Sequence, residues 1–412
     1  MRVAVVTGEY PTRRAPERAM FVRDQVEALR GSGHQVCVIH HEPPTLRRLA
    51  NRVRGRLGRP AGHAAAPAQP ESALPESALP DSAQSASTGA RWRILGRLAH
   101  DGVGRTLATA TMMRDLRRLD PAPEVVHAHN VFPAGVAAVR YAARAQTHVP
   151  VVVTEHSSAF LRGQLAAGEV RTAARVYRAA ARVVAVSPRQ AEAIPATDVE
   201  VVPNVLPADF TLRAPDAAVR GDIVSIGTLM PHKGMETLVR AYAALPAHLR
   251  ERHRLVLVGD GPQASRLTTT ARELGVHERV VLTGHLRRSD VAGVLRGAAL
   301  LVSASPVETF GMTLIEGLAS GVPFVAVRSG GPESVWFTGA GVLVTHSTPE
   351  DLGGGIRQAL GDDESGTSAQ VGSSDAERRT QVQRRFGADE VAARLSAIYR
   401  AAVAARDGRR ER

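Results

Sequence analysis

Residues 300–327 read LLVSASPVETFGMTLIEGLASGVPFVAV, and the pattern of this stretch indicates the fold class of the chain. An apolar run, Leu300–Ser303, is followed by a polar loop, a helical pattern that opens near Gly311, and a second apolar run, Phe324–Val327. A short strand, a helix and another short strand in succession are typical of a parallel sheet with helices on both faces. The stretch therefore predicts a doubly wound α/β domain.

The same alternation fills most of the chain in two sets. A length of 412 residues is two to three times that of an average domain, so we expect two domains. We place them at residues 1–206 and 207–387, with ligand-binding loops after the carboxyl ends of the strands. The expected strands are Val3–Thr7, Gln35–His40, Val125–His129, Val151–Thr154, Val183–Val186 and Val199–Val202 in the first domain, then Ile223–Gly227, Leu255–Val258, Val280–Thr283 and the two runs above.

An insertion of low complexity interrupts the first domain at about residues 61–90. It is rich in Ala, Pro and Ser and repeats the pentapeptide PESAL, which offers too few apolar side chains to form a core, so we expect disorder. The flanking segments 46–59 and 91–97 are rich in arginine and carry apolar residues at near-helical spacing. Two interpretations stay open for them: contact with an anionic membrane surface, or an ordinary surface helix.

Composition and charge restrict the class of protein. Residues 1–206 hold 27 arginines against 17 acidic residues, and the remainder holds 25 basic against 23 acidic residues. This asymmetry favours an acidic substrate or an anionic membrane over nucleic acid, because aromatic residues are only 4% and do not alternate with the basic ones. A single cysteine, Cys37, excludes an internal disulfide and is expected to be a small buried residue. No apolar run approaches the roughly 18 residues of a membrane span, so we expect a cytoplasmic protein.

The helix that follows Gly311 carries the first group of candidate site residues. Backbone N–H groups at its start could bind a phosphate, and Glu308 lies just upstream. Thr313, Glu316, Gly317 and Ser320 form a small polar face that would let a ligand approach and would direct one carboxylate toward it. Periodicity alone favours the other interpretation, two solvated glutamates around a core helix.

Two further loops carry candidates. Lys233 is the only lysine among 52 basic residues, and it stands in a glycine-containing loop, Gly227–Gly234, where a point charge would suit a phosphate. His156 follows the strand Val151–Thr154 and could face the cleft, although a lone histidine in a loop is often only a surface group. The glycine turns at Gly259–Pro262, Ser329–Glu333 and Pro203–Asn204 are weak signals by themselves.

Taken together and in order, these motifs resemble the retaining GT-B glycosyltransferases of family 4. The resemblance is strongest in the second half, which shows G-x-L-x-P-x-K-G at Gly227–Gly234, G-D-G-P at Gly259–Pro262 and E-x7-E at Glu308–Glu316. Gly321–Pro323 and the G-G-x-x-E loop at Gly330–Glu333 complete it. The first half is similar at Phe21–His34, Val126–His129, Thr154–His156 and Val202–Asn204.

This resemblance implies two Rossmann-like domains around a cleft, a nucleotide-diphosphate sugar donor, no metal, and a C-terminal helix within 388–412 that packs back on the first domain. Lys233, Glu308 and His156 would be the catalytic residues, neutralising the phosphates and holding the sugar from either side. Glu316 would bind the ribose hydroxyls. The other donor-binding residues would be Phe310, Gly311, Thr228, Gly227, Gly261 and Asn204.

Two positions depart from the family pattern. The family often has arginine after the motif glycine, beside the donor diphosphate, where this chain has Thr228. The loop after the first strand lacks the frequent Gly-Gly and carries Arg13, Arg14 and Arg18, any of which could supply the missing charge.

The function expected from the resemblance is the transfer of a hexose to a cell-envelope or polysaccharide precursor, with carbohydrate or lipid-linked acceptors and a possible peripheral membrane contact. Two alternatives remain: a nucleotide-sugar epimerase of the same fold, and a non-catalytic scaffold that binds nucleotide sugar. Thr228 keeps the scaffold in consideration, whereas the intact Glu308, Lys233 and Glu316 favour an enzyme.

Overall fold

The computed structural model describes residues 1–13, 15–41, 103–144, 148–212, 221–362 and 373–410. Their amino-terminal half forms a parallel six-stranded sheet in the order β2-β1-β3-β4-β5-β6. The strands are β1 (Arg2–Thr7), β2 (Gln35–His40), β3 (Val125–His129), β4 (Val151–Glu155), β5 (Arg182–Ala185) and β6 (Val199–Val201). The helices are α1 (Met20–Gly31), α2 (Val103–Arg117), α3 (Val136–Arg144), α4 (Ala167–Ala179) and α5 (Pro188–Ala193), with a π-helical turn at Val131–Gly135.

The second half forms another parallel six-stranded sheet, in the order β12-β11-β10-β7-β8-β9. Its strands are β7 (Asp222–Ile226), β8 (Leu255–Val258), β9 (Val280–Gly284), β10 (Ala298–Ser303), β11 (Phe324–Val327) and β12 (Gly341–Val344). Its helices are α6 (Met235–Ala243), α7 (Ala247–Arg252), α8 (Ala264–Glu273), α9 (Arg288–Gly297), α10 (Met312–Ala319), α11 (Gly331–Val335), α12 (Pro349–Leu360) and α13 (Asp375–Phe386), followed by α14 (Ala388–Arg410).

The two sheets confirm the predicted α/β class with two Rossmann-like units. Every residue of β3, β4, β8 and β11 is buried, as expected for parallel strands covered by helices on both faces. Sequence reasoning missed β12, because Gly339 and Gly341 at its start look like a turn and only three apolar residues follow. Cys37 in β2 is only half-buried, less than expected.

The strand orders determine where a ligand can enter. β1 lies between β2 and β3, and β7 lies between β8 and β10, so each sheet is extended in both directions from its first strand. At such a switch point the loops after neighbouring strands diverge and leave a crevice at the carboxyl edge of the sheet. The loops that follow β7 and β10 carry Lys233 and Glu308.

The last helix packs against the first helix, so the two ends of the chain lie close together. α14 packs against α1, where Val391, Leu395 and Tyr399 are buried in one apolar cluster with Val22 and Val26. The domain limits at residues 206 and 387 remain our proposal.

Several expectations fall on residues outside the described ranges: the insertion at 61–90, the basic segments 46–59 and 91–97, and Arg14. Among the helices that the structure describes, none combines the length and apolar character needed to cross a bilayer.

Candidate active site

A cavity of about 330 Å³ lies at the carboxyl edge of the second sheet and is completed by the first half of the chain. The first half contributes Phe21, His156 and Asn204. The second half contributes the ends of β7 and β10 and the loops after them, namely Ser225, Ile226, Gly227, Thr228, Lys233, Met235, Ser303, Ala304, Ser305, Glu308, Thr309, Phe310, Gly311, Met312 and Thr313.

Lys233 and Glu308 form an ion pair in this cavity. The Lys233 Nζ lies 2.8 Å from Glu308 Oε2, and the two side chains are 26% and 21% exposed. The other carboxylate oxygen of Glu308 accepts a hydrogen bond from the Thr309 backbone N–H at 3.2 Å. Lys233 is thus a partly buried cation whose charge is balanced by the carboxylate of Glu308. An anionic ligand could replace that carboxylate, and the ion pair keeps the lysine compensated when no ligand is bound.

Local backbone geometry places the lysine. A 3₁₀ turn, Pro231–Lys233, ends at Gly234, whose φ of +69° favours glycine. A Cβ on Gly234 would lie 2.3 Å from the carbonyl oxygen of Ala304, so the lysine loop rests directly on the backbone that follows β10. This close approach brings Lys233 to Glu308.

Glu316 lies in a separate, buried position on α10. It is 8% exposed and does not line the 330 Å³ cavity. Burial raises the pKa of its carboxyl to about 8; the charge of Arg288 acts in the opposite direction, and Asp24 and Asp209 reinforce the rise. Glu316 is therefore largely protonated near neutral pH.

Arg288 links the two halves of the molecule beside Glu316. Its guanidinium binds both carboxylate oxygens of Asp24 on α1, at 2.9 and 2.7 Å, and lies 3.8 Å from Asp209 in the connector between the sheets. The Arg288 and Asp24 side chains are only 12% and 15% exposed. This nearly enclosed ion pair connects α1 of the first half to the start of α9 in the second half, on the Glu316 side of the cleft.

His156 comes from the first half and is neutral. Burial, then the nearby His127, lower the pKa of its imidazole to about 3, and the Asn204 amide acts weakly in the opposite sense. Its ring packs on Phe21 at 4.6 Å between centroids, and its Nε2 lies 2.9 Å from His129 Nδ1. The backbone N–H of His156 donates to the side chain of Asn130 at 2.9 Å.

Glu155 is a functional position that sequence reasoning did not identify. Its carboxylate is fully buried and accepts hydrogen bonds from the backbone N–H groups of Val131, His156 and Ser157 and from the Tyr177 hydroxyl. These contacts fix the loop that presents His156. The signal available in the sequence is a glutamate at the end of an otherwise apolar strand.

Two expected donor contacts are corrected by packing. A Cβ on Gly261 would lie 2.5 Å from the Leu229 carbonyl oxygen, so Gly261 supports the lysine loop and does not line the cavity. The small face of α10 is also turned into protein: a Cβ on Gly317 would lie 2.7 Å from Leu301 Cδ2, and the Ser320 hydroxyl donates to the Glu316 carbonyl oxygen. This part of the face packs on the sheet, whereas Thr313 at the start of α10 lines the cavity. Phe310 packs its ring on Phe386, which leaves its backbone for the cavity.

Two of the three arginines expected to replace the family cation, Arg13 and Arg18, do not line the cavity, and Arg14 lies outside the described residues. Arg13 is exposed, and Arg18 forms an ion pair with Glu9 at 2.9 Å. Burial, and then the charge of Arg162 in the turn after β4, lower the pKa of the His232 imidazole in the loop Gly227–Gly234.

A second cavity, of about 460 Å³, adjoins the first between the two halves. The two meet at the loop that contains Val307 and Glu308, where the Glu308 carbonyl oxygen accepts from the Gly331 N–H. Its wall includes Arg328 and also Arg189, which pairs with Glu192 at 3.0 Å. Within the described ranges no three His, Cys, Asp or Glu side chains converge as metal ligands. The expectation of metal-free chemistry stays a prediction.

Comparison with known proteins is consistent with this geometry. The family model for glycosyl transferases group 1 matches residues 219–373, and that for glycosyltransferase family 4 matches residues 19–210. D-inositol 3-phosphate glycosyltransferase 1 of Catenulispora acidiphila is 31% identical over 322 residues, which is 69% of this chain and 74% of that protein. The D-inositol 3-phosphate glycosyltransferase of Corynebacterium glutamicum is 32% identical over 188 residues, 44% of each chain, so this match spans less than half of that relative.

Solved structures share the fold. HepE of Anabaena in complex with UDP and glucose aligns with a TM-score of 0.67 at 17% identity, over 96% of this chain and 98% of that one. Sucrose-phosphate synthase from Thermosynechococcus elongatus aligns with a TM-score of 0.69 at 20% identity, over 98% and 100%. With the matching family models and the relative from Catenulispora, these findings place the chain: it belongs to the group 1 glycosyltransferases of family 4.

Proposed function

We propose that this protein transfers a hexose from a nucleotide-diphosphate sugar to an acceptor with retention of configuration. The observation that carries the proposal is the Lys233–Glu308 pair, which stands in a cavity formed by both halves of a family member. The ammonium takes the diphosphate, the carboxylate is released to bind sugar hydroxyls, and the reaction gains from positioning and charge stabilisation.

The remaining residues complete a donor site. The backbones of Gly227, Thr228, Phe310 and Gly311 line the cavity beside the phosphates and sugar, and His156 and Asn204 contact the sugar from the first half. Glu316 binds the ribose hydroxyls from its buried position. Family membership supports each role, and the cavity lining supports all of them except that of Glu316.

Arg162 takes the place of the cation that Thr228 does not provide. Its charge, from the first half of the chain, lowers the pKa of His232 in the loop Gly227–Gly234, which supports a role beside Lys233 at the diphosphate. A donor site assembled this way would lose phosphate stabilisation when the two halves separate.

The acceptor carries a negative charge. The first 206 residues have a surplus of arginine, and Arg328 in the adjoining cavity forms no ion pair with any described residue. Relatives are named for acidic molecules, such as D-inositol 3-phosphate and, for a protein of Bacillus anthracis 27% identical over 179 residues, L-malate. A phosphorylated cell-envelope or polysaccharide precursor, handled in the cytoplasm or at a membrane surface, fits this chemistry.

The first test is a thermal-shift titration with UDP, GDP, ADP and dTDP. A nucleotide at about 100 times its Kd should stabilise the native state by roughly 2.7 kcal/mol. Wild type should respond to one nucleotide, Glu316→Gln should lose the response, and Glu273→Gln, at an exposed glutamate on α8, should keep it. The matching nucleotide sugars are then assayed for transfer and hydrolysis, and NMR of the product reports the anomeric configuration.

Each outcome separates the candidate functions. Transfer with retention supports the proposal, whereas inversion contradicts its stereochemical part. Release of an epimerised nucleotide sugar without acceptor would indicate the epimerase, and binding without turnover would indicate the scaffold. If no nucleotide binds, the donor site as described is wrong.

A further inference from the structure

Helices α2, α3 and α4 form one layer over the first sheet. α2 packs against α3, and α3 packs against α4. Their inward side chains share a single apolar cluster with β3 and β4, to which they contribute Met112, Leu116, Ala138, Tyr141, Ala173 and Val176. α1 and α14 cover the opposite face of the sheet in a different cluster. The outward sides of α2, α3 and α4 therefore belong to one surface of the molecule.

This surface carries arginines at helical spacing. On α4 they stand at positions i, i+4 and i+7, which keeps them on one side of the helix, and on α3 they stand at i and i+4. α2 adds one at its end. All six are exposed, and together we call them the arginine face: Arg117, Arg140, Arg144, Arg171, Arg175 and Arg178.

The acidic residues of the same helices already have partners. α2 holds only Asp115, α4 holds only Glu169, and α3 holds none. Asp115 lies 2.6 Å from His41 Nε2 and 3.4 Å from Arg114, and Glu169 pairs with Arg105. No arginine of the arginine face forms an ion pair with another residue that the structure describes. Their charges are therefore available to an external partner.

The charge is specific to this side of the first sheet. On the opposite side, α1 carries Arg23 and Arg30 together with Asp24 and Glu27, so its charges balance. The arginine face concentrates six uncompensated cations on three neighbouring helices. Such a concentration produces a positive local potential that attracts an anionic partner.

The chemistry of the arginine face favours a lipid bilayer as that partner. The aromatic residues of the three helices, Tyr141 and Tyr177, are buried, so no ring is presented for stacking on nucleic-acid bases. The large apolar side chains that are exposed in the described part of the chain, Met230 and Leu274, lie in the second half. A broad basic surface without apolar anchors fits the head groups of anionic lipids, which it binds by charge and without insertion.

The arginine face begins close to the cleft. α4 follows the loop that carries His156, and Arg171 stands near its first turn. From there the arginines extend roughly 10 Å along the helix to Arg178, at about 1.5 Å per residue. A bilayer on this surface would meet the first half of the chain near the mouth of the cleft.

We propose that the arginine face docks this protein on an anionic lipid bilayer. The proposal goes beyond the proposed transfer, since none of the six arginines lines either cavity. It uses described residues only and does not involve the basic segments 46–59 and 91–97. A protein docked in this way would be suited to an acceptor that is anchored in the same bilayer.

Co-sedimentation of the full chain with lipid vesicles tests the proposal. Wild type should bind vesicles of phosphatidylcholine mixed with phosphatidylglycerol, should not bind phosphatidylcholine alone, and should be released as salt is raised. The triple variant R171Q/R175Q/R178Q should bind about 100-fold more weakly, because each arginine near an anionic surface contributes roughly a fivefold factor.

A matched control removes the same number of charges elsewhere. R252Q/R272Q/R384Q changes three exposed arginines on α7, α8 and α13, and it should bind the mixed vesicles like wild type. Both triple variants should keep the melting temperature of wild type, because only exposed side chains change. Equal losses of binding in the two variants would show that net charge alone attracts the vesicles, and the arginine face would be wrong.

The remaining outcomes keep the docking surface separate from the proposed function. Failure of wild type to bind the mixed vesicles would overturn the proposal, as would tighter binding to an RNA or DNA oligonucleotide that R171Q/R175Q/R178Q abolishes. The same variant should keep the thermal shift with nucleotide. If vesicles bind and no nucleotide does, the docking surface stands and the proposed function fails.

Discussion

At the scale of single residues, the site depends on an ion pair whose partners can exchange each other for a ligand. Lys233 is matched by Glu308, and both keep about a quarter of their surface or less in solvent. Because part of each side chain stays in contact with water, solvent screening limits what the pair contributes to stability. Its value is that either partner can be taken over by a ligand.

Replacing Lys233 by methionine should test this directly. The side chain keeps its length and loses its charge, so we expect kcat/KM for the nucleotide sugar to fall about 100-fold or more, as when a single electrostatic contact to a transition state is removed. The melting temperature should change little. A large loss of stability with unchanged kinetics would mean that the pair is structural.

The raised pKa of Glu316 predicts that nucleotide binding is coupled to the release of a proton. Its pKa of about 8 leaves it mostly protonated at pH 7, and an ionised carboxylate is the better acceptor for two ribose hydroxyls. Nucleotide binding at pH 7 should therefore release close to one proton. Titration calorimetry in two buffers of different ionisation enthalpy measures this release, and equal binding enthalpies in the two buffers would contradict it.

The same shift has a consequence for stability. A carboxyl whose pKa is raised in the folded state stabilises the fold below its unfolded value near 4.5 and loses that contribution as pH rises through about 8. Without ligand at pH 8.5, the free energy of unfolding of Glu316→Gln should exceed that of wild type by an amount on the order of a few kcal/mol, so the variant should melt at a higher temperature. This difference should vanish near pH 4.5. Equal melting temperatures at pH 8.5 would contradict the buried state of Glu316.

At the scale of elements, the lysine loop is positioned by its contact with the backbone after β10. Gly234 and Gly275 share a φ of +69°, but only Gly234 approaches another chain segment; a Cβ at Gly275 would meet nothing within 4 Å. The two positions therefore separate backbone strain from displacement of the loop.

Gly234→Ala and Gly275→Ala should each cost about 1–2 kcal/mol through the left-handed backbone. Only Gly234→Ala should also weaken donor turnover, because its new methyl group pushes Lys233 away from Ala304 and Glu308. Thermal unfolding and donor kinetics on both variants make the comparison. If both lose turnover equally, the contact with Ala304 is not what places the lysine.

At the scale of the whole molecule, Asp24 and Arg288 connect the two halves beside the Glu316 position. Their bidentate pair joins α1 to α9, and α1 is itself held by α14. The C-terminal helix, the first helix and the second sheet thus form one continuous support for the closed cleft.

Asp24→Asn should loosen that closure. It leaves Arg288 with weaker partners, so the radius of gyration in solution scattering should increase and nucleotide affinity should fall. The loss of stability should stay below the roughly 3–5 kcal/mol typical of breaking a fully buried pair, since opening the cleft returns the arginine to water. Asp209→Asn is the control, because Asp209 is 48% exposed and 3.8 Å from Arg288. Identical scattering for both variants would exclude a closing role.

The fold class and the main site motifs follow from the amino-acid sequence alone. Alternating apolar runs and helical patterns predict two parallel sheets, since such runs are stable only between two layers of helices. The loops that carry Lys233 and Glu308 follow apolar strands, which predicted a phosphate site, and their resemblance to the motifs of family 4 implied a nucleotide sugar. Local chemistry and strand order carry that information without knowledge of distant contacts.

Which side chains line the cavity, and which pack against other parts of the protein, depends on tertiary contacts. Gly261 and Gly317 pack on Leu229 and Leu301, and Glu316 lies apart from the cavity beside Arg288. The hydroxyl of Tyr399 on the last helix contacts His127 on β3, although the two residues are 272 positions apart in the chain. No local pattern reports such contacts, because they exist only once the last helix has returned to the first sheet and burial has set the charge of each group.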